Sequence, residues 1–244
     1  MEEQYRQAAE IIGGAKTVIC LTGAGISVES GIPDFRGACG LWEKYDPLEY
    51  AHIDAFRRNP EKIWKMVFEL IELTSSASPN PAHRALADLE RMNILRSVIT
   101  QNIDNLHQAA GSKSVIEFHG NAGRLDCLNC GRSYGAGEFE LKDRVPPCCD
   151  CSAVLKPSVV FFGEAIPVRA LAESERLSNL ADVILVIGTS AVVYPASSIP
   201  YIVKSNGGRV IEMNLESTGL THSITDVFIQ GPVGTTLPGL AARL

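Results

Sequence analysis

Residues 17–22 read TVICLT and run directly into GAGISVESGIPDFRG, Gly23 to Gly37. A β-branched apolar run with no polar alternation fits a strand covered on both faces, as in the middle of a parallel sheet. Runs of the same kind recur at Ser97 to Thr100, Val183 to Ile187 and Val210 to Met213, with a shorter one at Val115 to Phe118. Helical spacing fills the intervals. The opening residues carry Tyr5, Ala8, Ala9 and Ile12 at that spacing and stop at Gly13-Gly14. Pro60 to Ser76 places Ile63, Met66, Val67, Leu70, Leu73 and Thr74 on one face. Pro81 to Met92 and Pro167 to Leu180 also read as helices, each opening with Pro where its missing N–H is harmless. Strands alternating with helices predict an α/β fold with a mostly parallel sheet and helices on both faces.

The composition of the 244 residues, 45% apolar and 20% charged, is that of an ordinary globular protein and excludes disorder, collagen and coiled coil. A net charge of −6 opposes sequence-independent binding to phosphate backbones, so no nucleic-acid partner is expected. The opening MEEQYRQAAE has neither a basic n-region nor an apolar h-region, and no secretory signal is expected from it. The uncharged stretch Val183 to Val203 is interrupted by Gly188, Pro195 and Pro200 and reads as a buried strand and loop, not a membrane span.

From about Asn121 to Lys156 the alternation breaks, and the clustered cysteines fall inside this stretch. Seven cysteines without an export signal favour a metal site in a reducing compartment over disulfides. Cys127-Leu128-Asn129-Cys130 and Cys148-Cys149-Asp150-Cys151 are both C-x-x-C, 17 residues apart, the spacing of a four-cysteine zinc ribbon. Four thiolates close the coordination sphere, so one Zn²⁺ on Cys127, Cys130, Cys148 and Cys151 would be structural. Cys149 could replace Cys148, but Cys148 restores the two-residue gap. Cys20 and Cys39 read as buried small apolar residues.

Glycines at a strand end let the backbone approach a phosphate, and the turn after it favours negative charge. The dinucleotide fingerprint would want a third Gly where Val28 stands, and no Lys-Ser/Thr follows to make a mononucleotide P-loop. The other strand ends supply Thr100-Gln101-Asn102-Ile103-Asp104, Gly188-Thr189-Ser190 and Asn214-Leu215-Glu216. Ligands of open α/β sheets bind beyond these carboxyl ends. The residues suit ribose hydroxyls and phosphates, and equally suit caps and turns. His119, just past the Val115 run, is a candidate general base, as are His107 and His83.

Together GAGISVESGIPDFRG, TQNIDNLH, the Phe118-His119-Gly120 step, the two C-x-x-C pairs, KPSVVFFGE and GTSAVVYPA resemble the sirtuin family of NAD-dependent protein-lysine deacylases, from about Thr17 to Val233. The resemblance implies one catalytic core over residues 1–244. Its Rossmann-like part would take about 1–36, 80–120 and 157–244; its small domain would take about 37–79, helical, and 121–156, the zinc ribbon. Gly23, Ala24, Gly25, Asp34, Phe35 and Arg36 would line the NAD⁺ pocket. Gln101, Asn102, Ile103 and Asp104 would hold the nicotinamide ribose and carboxamide, with Asn102 catalytic beside His119. Gly188, Thr189 and Ser190 would meet phosphate and ribose; Asn214, Leu215 and Glu216 the adenosine end; Val233 the adenine. An acyl-lysine protein or peptide would pair as a strand between Gly163-Glu164 and Val193, a β-augmentation mode. Its acyl-lysine N–H would go to the Val160 carbonyl, with Phe162 beside the aliphatic tunnel.

The chemistry implied is attack of the acyl oxygen on C1′ of the nicotinamide ribose, release of nicotinamide, and formation of an alkylimidate. His119 then takes a proton from a ribose hydroxyl, and hydrolysis yields free lysine and O-acyl-ADP-ribose. Phe35 on a closing loop would exclude water. NAD⁺ is a co-substrate. Relatives that prefer succinyl or malonyl groups carry a Tyr and an Arg where this chain has Val67 and Leu70, so apolar acyl groups are expected to be preferred. A cytoplasmic location is expected. The competing readings are a protein mono-ADP-ribosyltransferase, and a non-catalytic NAD-binding regulator or DNA-touching zinc ribbon.

Overall fold

The computed structural model describes residues 1–35 and 40–244. Arg36 and Cys39, both singled out above, lie outside the described residues. In chain order the strands are β1 (Val18–Thr22), β2 (Leu95–Thr100), β3 (Val115–Glu117), β4 (Gly120–Cys127), β5 (Ser133–Gly135), β6 (Leu155–Val159), β7 (Val183–Ile187), β8 (Arg209–Asn214) and β9 (Val227–Gln230). The helices are α1 (Glu2–Gly13), α2 (Leu41–Lys44), α3 (Pro47–Tyr50), α4 (Ile53–Arg58), α5 (Pro60–Ser75), α6 (Pro81–Arg91), α7 (Leu106–Ala109), α8 (Val168–Leu180), α9 (Ile199–Ser205) and α10 (Val233–Ala241).

Six strands form one parallel sheet in the order β3-β2-β1-β7-β8-β9. The two uniformly apolar runs, β1 and β7, lie side by side at its centre and are buried along their whole length. Alternate residues serve opposite faces. Val18 and Cys20 meet α1, α6 and α10 through Ala8, Leu86 and Leu237. Ile19 and Leu21 meet α8 and α9 through Leu177 and Val203. Each fully buried aliphatic side chain of this kind contributes roughly 1.5–3 kcal/mol. Cys20 is fully buried, as its reading as a small apolar residue required.

The stretch Val183 to Val203 is more than a strand and a loop. Its last residues belong to α9, whose Pro200 sits in the first turn, where a proline opens a helix instead of breaking it. Among the described residues no helix is long and apolar enough to cross a membrane.

A second, antiparallel sheet has the order β5-β4-β6. It shares a third hydrophobic core with α2 to α5: Trp64, Ile63 and Phe56 pack with Leu125, Leu155 and Phe161. The indole N–H of Trp64 donates to the Leu155 carbonyl at 2.8 Å, tying the helical segment to the cysteine segment. In this sheet β6 pairs with β4 from Cys127 opposite Leu155 to Gly120 opposite Val159.

Candidate active site

The chain leaves β1 for β2 on one side of the sheet and returns to β7 on the other, so the strand order reverses between β1 and β7. That reversal opens a crevice at the carboxyl ends of the strands. The turns after β1 and β7 are pressed together there. Gly25 N–H donates to the Gly188 carbonyl at 2.8 Å. A Cβ on Gly25 would come within 2.7 Å of that oxygen, and one on Gly188, at φ +57°, within 2.4 Å of the Ile26 nitrogen. A Cβ on Gly23 would meet the Thr189 side chain at 2.7 Å. These three positions form a cradle that only glycine permits.

Around the cradle stand the other strand ends. Gln101 Nε2 donates to Thr189 Oγ1 at 3.0 Å, and Asn214 Nδ2 donates to the Thr189 carbonyl at 3.0 Å, so Thr189 joins three strand ends. Asn102 is buried; its Nδ2 donates to Gly23 O and Ser27 Oγ, each at 3.1 Å, while its Oδ1 is buried with no protein partner. Ser27 in turn donates to Asp104 Oδ2 at 2.7 Å. Ile103 contributes its carbonyl to the Ala122 N–H at 3.3 Å. Ser190, Leu215 and Glu216 are exposed and Ala24 is partly exposed. Val233 is 4% exposed and packs into the main core at the start of α10. The carbonyls of Asp34 and Phe35 accept from Leu41 and Trp42, and the Phe35 ring lies 5.1 Å from that of Trp42.

His119 lies between β3 and β4, partly buried. Its Nδ1 is 3.2 Å from the Gln101 carbonyl, and since a carbonyl only accepts, Nδ1 carries the proton. Nε2 is then the ring's lone-pair nitrogen. Burial pulls the imidazole below its ordinary value, against the opposing pull of that hydrogen bond. His119 is therefore neutral and basic at neutral pH.

The other two candidate histidines have different surroundings. His107 Nε2 is 2.9 Å from Thr22 Oγ1, which donates to Thr100 Oγ1, and Thr100 Oγ1 accepts the Asn102 N–H at 3.0 Å. His83 takes part in the capping of α6 with Asn80, whose Nδ2 reaches back to Ile26 O at 2.7 Å. Burial depresses His83 to about 4 and His107 to about 3, so both sit as neutral supports beneath the crevice.

Sequence reasoning passed over Ser27, Thr22 and Glu212. Glu212 is fully buried and accepts from Thr218 and Thr221 at 2.6 Å and from Thr225 at 2.9 Å, folding the loop that follows Asn214 to Glu216. An acidic residue inside an apolar strand, trailed by several threonines, was the signal available.

The segment after β6 borders the crevice. Val160 N–H donates to the His119 carbonyl at 2.8 Å, and Phe162 pairs through its backbone with Ala51 and Ile53 at 2.8 and 3.0 Å. Phe162 and Gly163 are exposed, Val193 is partly buried, and the carboxylate of Glu164 turns inward to the Phe161 N–H at 2.8 Å.

The sulfurs of Cys127, Cys130, Cys148 and Cys151 all lie within 4.8 Å of one another, with Cys127 to Cys151 at 3.5 Å and Cys130 to Cys148 at 3.6 Å. A tetrahedron of thiolates about 2.3 Å from Zn²⁺ has edges of about 3.8 Å, so the donor set fits one structural zinc. Cys149 is exposed and outside the cluster. The hydroxyl of Tyr134 lies 3.2 Å from Cys148 Sγ.

The Sir2 family pattern matches residues 23–195, from the first glycine of the cradle to beyond the Val193 segment. The chain belongs to the Sir2 family. It is 48% identical over 243 residues to an NAD-dependent protein deacylase of Thermococcus kodakarensis, covering 97% of this chain and 94% of the relative. It is 49% identical over 248 residues to NAD-dependent protein deacylase 2 of Archaeoglobus fulgidus, covering 100% and 97%. Among solved structures, a Sir2 homolog in complex with NAD superimposes with a TM-score of 0.92 at 43% identity, covering 98% of this chain and 93% of that one. Sir2Af2 bound to a myristoylated histone peptide gives 0.85 at 40% identity, covering 100% and 97%. The Sir2 fold is thus shared over essentially the whole chain.

Proposed function

We propose that this Sir2 protein is an NAD-dependent protein-lysine deacylase that releases nicotinamide, the free lysine and O-acyl-ADP-ribose. The observation that carries the proposal is the placement of a neutral, oriented imidazole, His119, beside a glycine cradle whose buried Asn102 oxygen has no protein partner. The cradle suits the phosphates of NAD⁺: Gly23, Ala24, Gly25, Gly188, Thr189 and Ser190 would meet phosphate and ribose, and Asn214, Leu215, Glu216 and Val233 the adenosine end. Asn102, Gln101, Ile103 and Asp104 would hold the nicotinamide side, with Asp34 and Phe35 beside it.

The protein's own part in the chemistry is orientation and proton transfer. Nε2 of His119 would take the ribose hydroxyl proton while Nδ1–H stays on Gln101, a general-base role suited to a neutral ring. An acyl-lysine peptide would lie as a strand along Val160, Phe162, Gly163, Glu164 and Val193. Acetyl and longer apolar acyl groups are preferred over succinyl, because Val67 and Leu70 offer a carboxylate no partner. The separation of a third hydrophobic core supports dividing the chain into a Rossmann-like part and a small domain built from the segments near 37–79 and 121–156. Cysteines grouped for a metal suit a reducing, cytoplasmic location.

The deciding experiment incubates the protein with NAD⁺ and acetyl-lysine peptide and follows both by mass spectrometry. Nicotinamide release that depends on the acylated peptide, with loss of the acetyl group, is expected. Transfer of ADP-ribose to protein without deacetylation would favour the ADP-ribosyltransferase, and NAD⁺ binding without turnover the regulator.

A further inference from the structure

Lys156 opens the KPSVVFFGE segment at the end of the cysteine-containing stretch. In the fold its side chain is only 5% exposed. Its ammonium donates to the carbonyls of Pro157 at 3.0 Å and Val159 at 2.6 Å, and lies 2.9 Å from Glu164 Oε2. That accounts for all three of its donors. It also sits 4.4 Å from the centre of the Phe161 ring. Glu164 Oε2 accepts the Phe161 N–H as well, at 2.8 Å, so the carboxylate is held from two directions. Gly163, at φ +84°, lets the chain turn back to bring Glu164 inward, and a Cβ there would come within 2.9 Å of the His52 ring.

We propose that Lys156 and Glu164 form a buried clasp that closes the segment between them into one rigid loop and so presents Val160, Phe162 and Gly163 to the acyl-lysine peptide. A buried ammonium is tolerated only when paired and hydrogen-bonded throughout, so the clasp has one low-energy arrangement. The loop it closes is tied at two further points, through Val160 N–H to His119 O and through Phe162 to Ala51 and Ile53. Lys156 is thereby a positioning residue for the peptide, acting through the loop, while the glycine cradle for NAD⁺ is built from other elements. The proposal rests on the deacylase reading given above.

The test compares the full-length protein with its Lys156→Met and Lys156→Arg variants. Hydrogen–deuterium exchange without ligands should be faster in Lys156→Met across residues 157–164 and unchanged in β1 and β7. In steady-state assays its KM for an acetyl-lysine peptide should rise on the order of tenfold, the loss of one charged hydrogen bond, while its KM for NAD⁺ stays within about twofold. Lys156→Arg should recover part of both effects. Where Lys156→Met does not fold, Glu164→Gln, which keeps an acceptor for Phe161 but removes the charge, should shift exchange and peptide KM the same way by less. Wild-type exchange in residues 157–164, or equal rises in both KM values, overturns the clasp. A wild-type protein that releases no nicotinamide with any acyl peptide overturns the deacylase reading instead, and the exchange comparison still decides the clasp.

Discussion

The Nδ1–H of His119 is committed to the carbonyl of Gln101 at 3.2 Å, in the same loop that supplies Asn102. One hydrogen bond thus sets the tautomer of the proposed base and ties it to the loop proposed to hold the nicotinamide ribose. Removal of that base should lower deacylation by roughly 10²–10⁴-fold. His119→Ala should keep its affinity for NAD⁺ in calorimetric titration; unchanged turnover would remove His119 from the base role.

Burial lowers the His119 value, so the acid limb of kcat/KM should fall below the ordinary histidine midpoint of about 6.5. The ring is active when neutral, and the rate therefore declines as pH drops through the lowered value. A pH–rate profile checks this, and a limb centred above 6.5 would contradict it.

His83 and His107 link pH to stability in a defined direction. Their folded values, about 4 and about 3, lie below the ordinary value of about 6.5. Below pH 6.5 the unfolded chain takes up protons that the fold refuses. Stability is complete above that pH and is lost as pH falls toward 4 and 3, by about 1.4 kcal/mol per pH unit for each ring. Urea unfolding from pH 7 to 5 should show a shallower loss in His107→Gln than in the wild type.

The zinc assignment separates adjacent cysteines. Cys148→Ala should lose the metal and unfold at markedly lower temperature, since structural zinc contributes folding free energy directly. Cys149→Ala should retain one zinc per chain and the wild-type melting curve. Metal analysis and thermal melts of the two variants decide it.

Gly188→Ala should destabilise the fold by about 1–3 kcal/mol from the left-handed backbone alone, and more from the contact with Ile26. NAD⁺ affinity should fall with it. A variant with wild-type melting temperature and affinity would mean that the cradle can relax.

Val67 and Leu70 pack beside the third hydrophobic core and carry no cation. Succinyl-lysine should be turned over far more slowly than acetyl-lysine on the same peptide, because a buried carboxylate left without its partner costs several kcal/mol. Comparable rates for the two peptides would refute this.

Much of the architecture was legible in the sequence because it depends on short-range patterns. The unbroken apolar run of β1 and the like run of β7 mark the sheet centre, the Gly23-Ala24-Gly25 turn marks the end at which the crevice opens, and two C-x-x-C pairs mark a closed metal site. Other features depend on residues far apart in the chain meeting in space. Trp64 joins Leu155 only when the fifth helix and the cysteine sheet share a core. Cys148 is distinguished from Cys149 by the direction in which one turn points its thiols. Lys156 looks like a surface cation until Glu164 and two carbonyls surround it. Local periodicity determined which segments become strands and helices; burial, hydrogen-bond direction and the pairing of charges arise from packing between segments, and so were decided by the tertiary structure alone.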